Sequence, residues 1–340
     1  MALPLQNGST GLTLTILGCG TMGIAIMGGI MTHLEDILRT TPLPSGTSTP
    51  FPSVSGTSTP SEIAPTCLPS RFIACVRRPE SAKRIKAALA HHITPLQVYI
   101  NDNLKAVQEA DVVLLGCKPQ MFRDVLGAPG IREALSGKLL ISILAGVTGP
   151  QIEKFLYPSE TTSTPCRVVR AMPNTASAVR QSMTVIATST PPLPTEQQSL
   201  VTWIFSRIGK VVHLPPASMD ASTALCGSGP AFMALILESL ADGGVAMGLP
   251  RAEAQLMSAQ VMAGTAALVA AGEHPAILRD KVSTPGGCTI GGLLTLEEGR
   301  VRGSVARAVR EATVVASQLG KGVVGVNGTR WAERTNRESF

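Results

Sequence analysis

Hydrophobic and polar positions along this 340-residue chain fall into two regimes. As far as residue 215, short runs rich in Val, Ile and Leu alternate with longer stretches of helical spacing. The runs at 12–17, 71–76, 112–116, 139–143, 167–170, 184–187 and 210–213 read as strands. The stretches at 21–38, 79–90, 104–109, 120–125, 148–155 and 195–208 read as helices. Alternation of this kind predicts an α/β fold with a doubly wound, mostly parallel sheet. After Pro215-Pro216 the strand pattern stops, and helical spacing continues near 219–247, 251–271, 275–281, 289–297 and 301–319. Residues 232–237 (Phe-Met-Ala-Leu-Ile-Leu) are apolar on every side of a helix, which must then be buried all round. About 100 residues of helix seldom bury that much alone. The pattern therefore predicts a homodimer joined through an all-helical region. The expected division is an α/β domain at 11–215, a helical domain at 216–322 and a tail at 323–340.

One segment fits neither regime. Nineteen of the 22 residues at 40–61 are Ser, Thr, Pro or Gly, and Gly-Thr-Ser-Thr-Pro occurs at 46–50 and again at 56–60. Such a segment has little to bury, so a disordered insertion is expected at about 40–70. Thr-Ser-Thr-Pro recurs at 162–165 and 188–191. These repeats read either as tolerated surface insertions or as phosphorylation sites.

Composition narrows the classes. Aromatic residues make up 3% of the chain, too few to make base stacking on nucleic acid the first reading. The hydrophobic share of 44% argues against wholesale disorder. Seven scattered cysteines form no C-x-x-C pair, which suits free thiols in a reducing compartment. The first basic residue is Arg39, so the start lacks the positive region of a secretory signal. The uncharged stretches at 11–34 and 254–272 are long enough to span a membrane, but glycines interrupt the first and polar residues the second. A cytoplasmic protein with no membrane or nucleic-acid partner is the expectation.

Gly18-Cys19-Gly20-Thr21-Met22-Gly23 follows a predicted strand and opens a predicted helix. This is G-x-G-x-x-G in a dinucleotide-binding context. The first glycine makes the tight turn, the second admits a pyrophosphate, and the third lets the helix pack on the strand. The free N–H groups at the helix start then bind phosphate. The second strand ends in Arg77-Arg78-Pro79-Glu80-Ser81, without the acidic residue that would hold a ribose 2′-hydroxyl. Arg77, Arg78 and Ser81 suit a 2′-phosphate, so NADPH is favoured over NADH. Gly116, Cys117, Lys118 and Pro119 lie beyond the next strand, and Ala145 and Gly146 beyond the one after, where a doubly wound sheet holds its ligand.

In the helical half, Ser283, Thr284, Gly286, Gly287, Cys288 and Thr289 join two predicted helices. The glycines let backbone curve round a small ligand, and the next helix start offers N–H groups to a carboxylate. Asn174 offers an amide at another strand end. His33, His91, His92, His213 and His274 have no metal-ligand spacing, and no metal is expected. Lysine is scarce after residue 216, being Lys281 and Lys321. That is thin material for a Lys-based acid. Hydride transfer to a substrate that is already a cationic iminium would need little side-chain proton chemistry.

Taken together, the 18–23 turn, 112–120 (VVLLGCKPQ), 170–175 (RAMPNT), 227–232 (GSGPAF), 242–250 (DGGVAMGLP) and 281–289 (KVSTPGGCT) resemble the pyrroline-5-carboxylate reductase family. The resemblance runs over roughly 12–320, except for the Ser/Thr/Pro segment. It implies NADPH-dependent reduction of L-1-pyrroline-5-carboxylate to L-proline, the last step of proline biosynthesis. It also implies a C-terminal region that dimerises, often within a larger ring. Thr289 matches the family's threonine facing substrate and nicotinamide, and is the expected catalytic residue. Asn103 matches an adenosine-side contact. Thr284 stands where the family has Ser, and Cys288 where it has Thr or Ala. Glu273 lies one position from a glutamate some members place near the substrate nitrogen. Two other readings remain open: another NADP-dependent imine or hydroxyacid oxidoreductase, and a non-catalytic NADPH-sensing protein. Against a hydroxyacid dehydrogenase, residues 218–248 contain neither Lys nor His.

Overall fold

The structure, a computed structural model, describes residues 11–40, 65–158, 164–321 and 323. Strands β1 (Leu12–Leu17), β2 (Pro69–Val76), β3 (Leu96–Ile100), β4 (Val112–Leu115), β5 (Leu139–Ser142), β6 (Arg167–Met172), β7 (Ser182–Ala187) and β8 (Gly209–Leu214) form one sheet. Their order is β3-β2-β1-β4-β5-β6-β7-β8. Every neighbouring pair is parallel except β6 with β7. Strand order reverses between β1 and β4, and in such sheets that crevice holds the ligand.

Helices α1 (Thr21–Thr40), α2 (Pro79–Ala88), α3 (Asn103–Gln108), α4 (Phe122–Leu126), α5 (Ile131–Ala134), α6 (Gly149–Leu156) and α7 (Thr195–Ser206) cover the two faces. Alternate residues of β1 explain why both faces need cover. Leu12, Leu14 and Ile16 join Ile26, Ile30, Ile204 and Phe205 in one core cluster. Leu17 joins Val107, Leu115, Ile131 and Ile152 in the other. Thr15, buried among them, donates from its hydroxyl to the Ala106 carbonyl (3.1 Å), so its polar group is satisfied.

The doubly wound sheet is as expected, with three differences. β3 was not anticipated; it is a five-residue, half-exposed edge strand with no fully buried residue. The antiparallel step at β7 leaves no trace in composition. The expected insertion at about 40–70 overreaches, because β2 starts at Pro69 and Thr66 is already tied down. The backbone N–H and hydroxyl of Thr66 donate to Glu196 Oε1 on α7 (2.6 and 2.7 Å). Residues 41–64, the repeat at 162–163 and the tail from 324 lie outside the described residues.

From Pro216 the chain is helical: α8 (Met219–Ser222), a π-helical turn (Thr223–Ser228), α9 (Gly229–Ala246), α10 (Arg251–Ala270), α11 (Pro275–Val282), α12 (Cys288–Glu298) and α13 (Val301–Gly320). The helix expected at 219–247 is continuous, but it widens into a π turn just before Pro230. Met219 anchors the region to the sheet, packed with Met172, Val185 and Ala187. Beyond it little is covered. α11 and α12 bury no residue, and α9 buries Ala241 alone. Leu235, Val261 and Leu256 are 63%, 62% and 71% exposed. Pro216–Ala246 is long and apolar enough to cross a membrane by length and composition, with 11% of its most apolar window buried. That stretch is neither of the two weighed from sequence.

Candidate active site

The Gly18 turn is built at the carboxyl ends of β1, β2 and β4. The N–H groups of Gly18 and Cys19 both donate to the Cys75 carbonyl at the end of β2 (3.0 and 3.1 Å). Gly18 adopts φ +74°, and a Cβ there would lie 2.7 Å from the backbone N and Cα of Cys117. Gly20 accepts from Ile24 N (3.0 Å), which begins α1 and leaves the N–H groups of its first turn without helical partners. A Cβ on Gly20 would meet no atom nearer than the Gly18 carbonyl at 4.0 Å, so the approach to those N–H groups is open. Gly23 is closed on its inner side, where a Cβ would come within 2.8 Å of Cys19 Sγ. Gly18 and Gly23 thus sit where a side chain would clash, and Gly20 faces open space.

Three thiols surround this turn. Burial pushes Cys19 up to about 12, and Cys75 and Cys117 each up to about 11. They are neutral at physiological pH and place no negative charge beside a bound pyrophosphate. Cys75 Sγ donates to Asn103 Oδ1 (2.9 Å), which orients the amide that opens α3. Cys75 was not singled out from sequence. Its role runs through its backbone carbonyl, which no side-chain pattern reveals.

Arg77 and Arg78 follow β2, exposed, beside the Gly18 turn because Leu17 and Cys75 are register partners. Arg78 precedes α2 in extended conformation. Ser81 lies in the first turn of α2. Gly116 continues the β4 ladder through its N–H to the Leu17 carbonyl (2.9 Å), which sets Cys117, Lys118 and Pro119 against the turn.

Ala145 and Gly146 follow β5, with Ala145 exposed. Gly146 has φ +73°, and its backbone meets the last residue of α13: a Cβ on Gly320 would fall 2.7 Å from the Gly146 carbonyl. Gln151 closes a capping box with Thr148 at the start of α6, and its Nε2 also donates to the Gly320 carbonyl (2.9 Å). The capping box is readable in the sequence; the tie to α13 is not.

Asn174 ends β6, with its side chain engaged locally. Oδ1 accepts from Ala176 N, and Nδ2 donates to the Cys226 carbonyl, both at 3.1 Å. In the 283–289 loop, Gly286 has φ +69° and open space around it. Gly287 closes the turn by donating to the Thr284 carbonyl (3.0 Å), then leads into α12. Ser283 Oγ donates to the Arg279 carbonyl (2.9 Å), so this hydroxyl serves the loop itself. Thr284 and Cys288 are exposed and Thr289 is half-buried. Lys281 pairs with Glu273 at 2.7 Å. Among the described residues no hydrogen bond or ion pair joins this loop to the 18–23 turn of its own chain.

A cavity of about 200 Å³ lies elsewhere, lined by Ile186, Pro192, Leu193, Val201 and His213 among others. Because β7 runs against β6, it opens at the edge of the sheet opposite the Gly18 turn.

Comparison with known proteins bears on these loops together. The family model for pyrroline-5-carboxylate reductase dimerisation matches residues 216–319, and that for NADP oxidoreductase coenzyme F420-dependent proteins matches 58–146. A pyrroline-5-carboxylate reductase of Lophium arboricola is 60% identical over 336 residues, covering 97% of this chain and all of the relative. Among solved structures, a pyrroline-5-carboxylate reductase from Coxiella burnetii aligns with TM-score 0.70 and 26% identity, over 92% of this chain and 99% of that one. The Plasmodium falciparum pyrroline carboxylate reductase with NADP bound aligns with TM-score 0.68 and 24% identity, over 92% of this chain and 100% of that one.

Proposed function

The chain belongs to the pyrroline-5-carboxylate reductase family, and from that premise we infer that it reduces L-1-pyrroline-5-carboxylate to L-proline with NADPH. The observation that carries the reading is the conjunction of an open Gly20 with a complete substrate loop at 283–289. A protein that merely sensed the cofactor would have no need of that loop.

The residues present fit a bound dinucleotide phosphate. Thr21, Met22 and Gly23 offer first-turn N–H groups to the pyrophosphate, and Arg77, Arg78 and Ser81 flank the 2′-phosphate position. Asn103 and the 116–119 segment border the adenosine side and the phosphates. When bound, the reduced nicotinamide supplies a hydride to C5 of the ring. Ala145 and Gly146 exclude water from that face. The N–H groups of Cys288 and Thr289 at the start of α12 hold the ring carboxylate. The Thr289 hydroxyl orients the ring nitrogen or the carboxamide. The substrate arrives as a cation, so a hydride alone completes the amine, and no side chain has to relay a proton to carbon. Positioning and charge complementarity account for the acceleration.

The same reading includes a homodimer. The apolar faces of α9 and α10 lack cover in one chain, and they fall within the dimerisation match. A second copy buries them and brings its own 283–289 loop to the interface.

Three outcomes test the reading. NADPH oxidation should be fastest with pyrroline-5-carboxylate among a panel of cyclic imines and 2-keto acids; absence of turnover with it overturns the assignment. Arg77→Ala should raise the KM for NADPH about tenfold, the scale of one charge-assisted hydrogen bond, and leave that for NADH nearly unchanged. Equal shifts would remove Arg77 from the 2′-phosphate. Thr289→Val should lower kcat/KM by about tenfold or more, the loss of one transition-state hydrogen bond. Unchanged kinetics would exclude Thr289 from the site.

A further inference from the structure

The widening of the helix just ahead of α9 has a cause in the sequence. Had the turn at Thr223–Ser228 kept α spacing, the carbonyl of residue 226 would accept from the N–H of residue 230, four positions on. Residue 230 is proline and has none. The turn at Thr223–Ser228 widens to π spacing at this point, and the Cys226 carbonyl takes a donor from outside the helix. That donor is Asn174 Nδ2, 3.1 Å away at the end of β6.

Asn174 is itself held. Its N–H donates to Ser182 Oγ (3.0 Å), its carbonyl accepts from Ser177 Oγ (2.6 Å), and its Oδ1 caps Ala176 N. The amide therefore presents Nδ2 from a fixed frame. The contact lies at the ligand-binding rim of the sheet. From it α9 carries the chain into the helical region that bears the 283–289 loop.

We propose that Asn174 is a positioning residue, which sets the helical region against the ligand-binding rim through the carbonyl that Pro230 leaves short of a donor. This rests on the reductase reading, and it gives Asn174 a task other than direct contact with substrate.

A double-mutant cycle tests it. Asn174→Ala and Asn174→Asp should each lower kcat about tenfold, the scale of one buried hydrogen bond, with NADPH affinity changed less than about twofold. Asp keeps the cap on Ala176 but cannot donate to Cys226. Pro230→Ala restores a helical donor, so Asn174→Ala should cost less than about threefold in that background. Amide hydrogen exchange over 231–235 should quicken in Asn174→Ala and return towards wild type in the double variant. Equal losses in both backgrounds, a wild-type Asn174→Asp, or unaltered exchange would each overturn the proposal. A wild-type enzyme inactive on pyrroline-5-carboxylate would instead refute the reductase reading, and the exchange measurement would still judge the link.

Discussion

Gly18→Ala yields a protein that no longer holds NADPH at micromolar concentration. The residue has φ +74°, where a Cβ costs about 1–2 kcal/mol. The new carbon would also sit 2.7 Å from the backbone N and Cα of Cys117, atoms that cannot rotate aside. Relief requires the turn after β1 to move away from the loop after β4, which opens the crevice that holds the phosphates. Fluorescence titration should show NADPH affinity reduced about 100-fold or more, and denaturant unfolding should show a loss of about 2–4 kcal/mol. Gly20→Ala separates binding from folding. Its Cβ would meet nothing nearer than 4.0 Å, so stability should stay within about 0.5 kcal/mol of wild type. The same methyl stands where the pyrophosphate must approach, so affinity should still fall. A Gly20→Ala protein that binds NADPH normally would move the phosphates off this turn.

Leu235→Glu combined with Leu256→Glu should give a folded, inactive monomer. These side chains are 63% and 71% exposed on α9 and α10 in a single chain. Burying each contributes about 1.5–3 kcal/mol, and a two-fold interface counts each one twice. Carboxylates at those positions would face burial without partners. Because no described hydrogen bond links the 283–289 loop to its own 18–23 turn, loss of the second copy should cut kcat/KM about 100-fold, the scale of lost positioning. Sedimentation and turnover measured together decide it: a monomer with full activity would place the complete site within one chain.

Much of the sheet could be read from the sequence because its inner strands are buried on both faces. β4 is a continuous apolar run for that reason, and β1 and β5 are apolar but for the buried Thr13, Thr15 and Ser142. β3 escaped notice because it is five residues long and none of them is fully buried, so its alternation is too short to stand out. The end of the Ser/Thr/Pro segment was misjudged because composition does not reveal that Glu196, on α7, fastens Thr66. The shape of the 18–23 turn was legible because three glycines at fixed spacing record three different steric surroundings. What could not be read are the contacts between distant backbone groups: Cys75 O with the turn, Gly146 with Gly320, and Asn174 with Cys226. Pro230 was visible throughout as a missing donor. Only the fold shows which carbonyl it leaves short and which side chain answers it.

The claim at the centre of this account is hydride delivery to C5 of a cyclic iminium held by the 283–289 loop. Turnover of pyrroline-5-carboxylate with NADPH deuterated at both C4 positions of the nicotinamide, followed by NMR of the product, tests it most directly. The account predicts one deuterium per proline, at C5 and on a single face. Deuterium at another carbon, scrambled over both faces of C5, or absent from proline would contradict it.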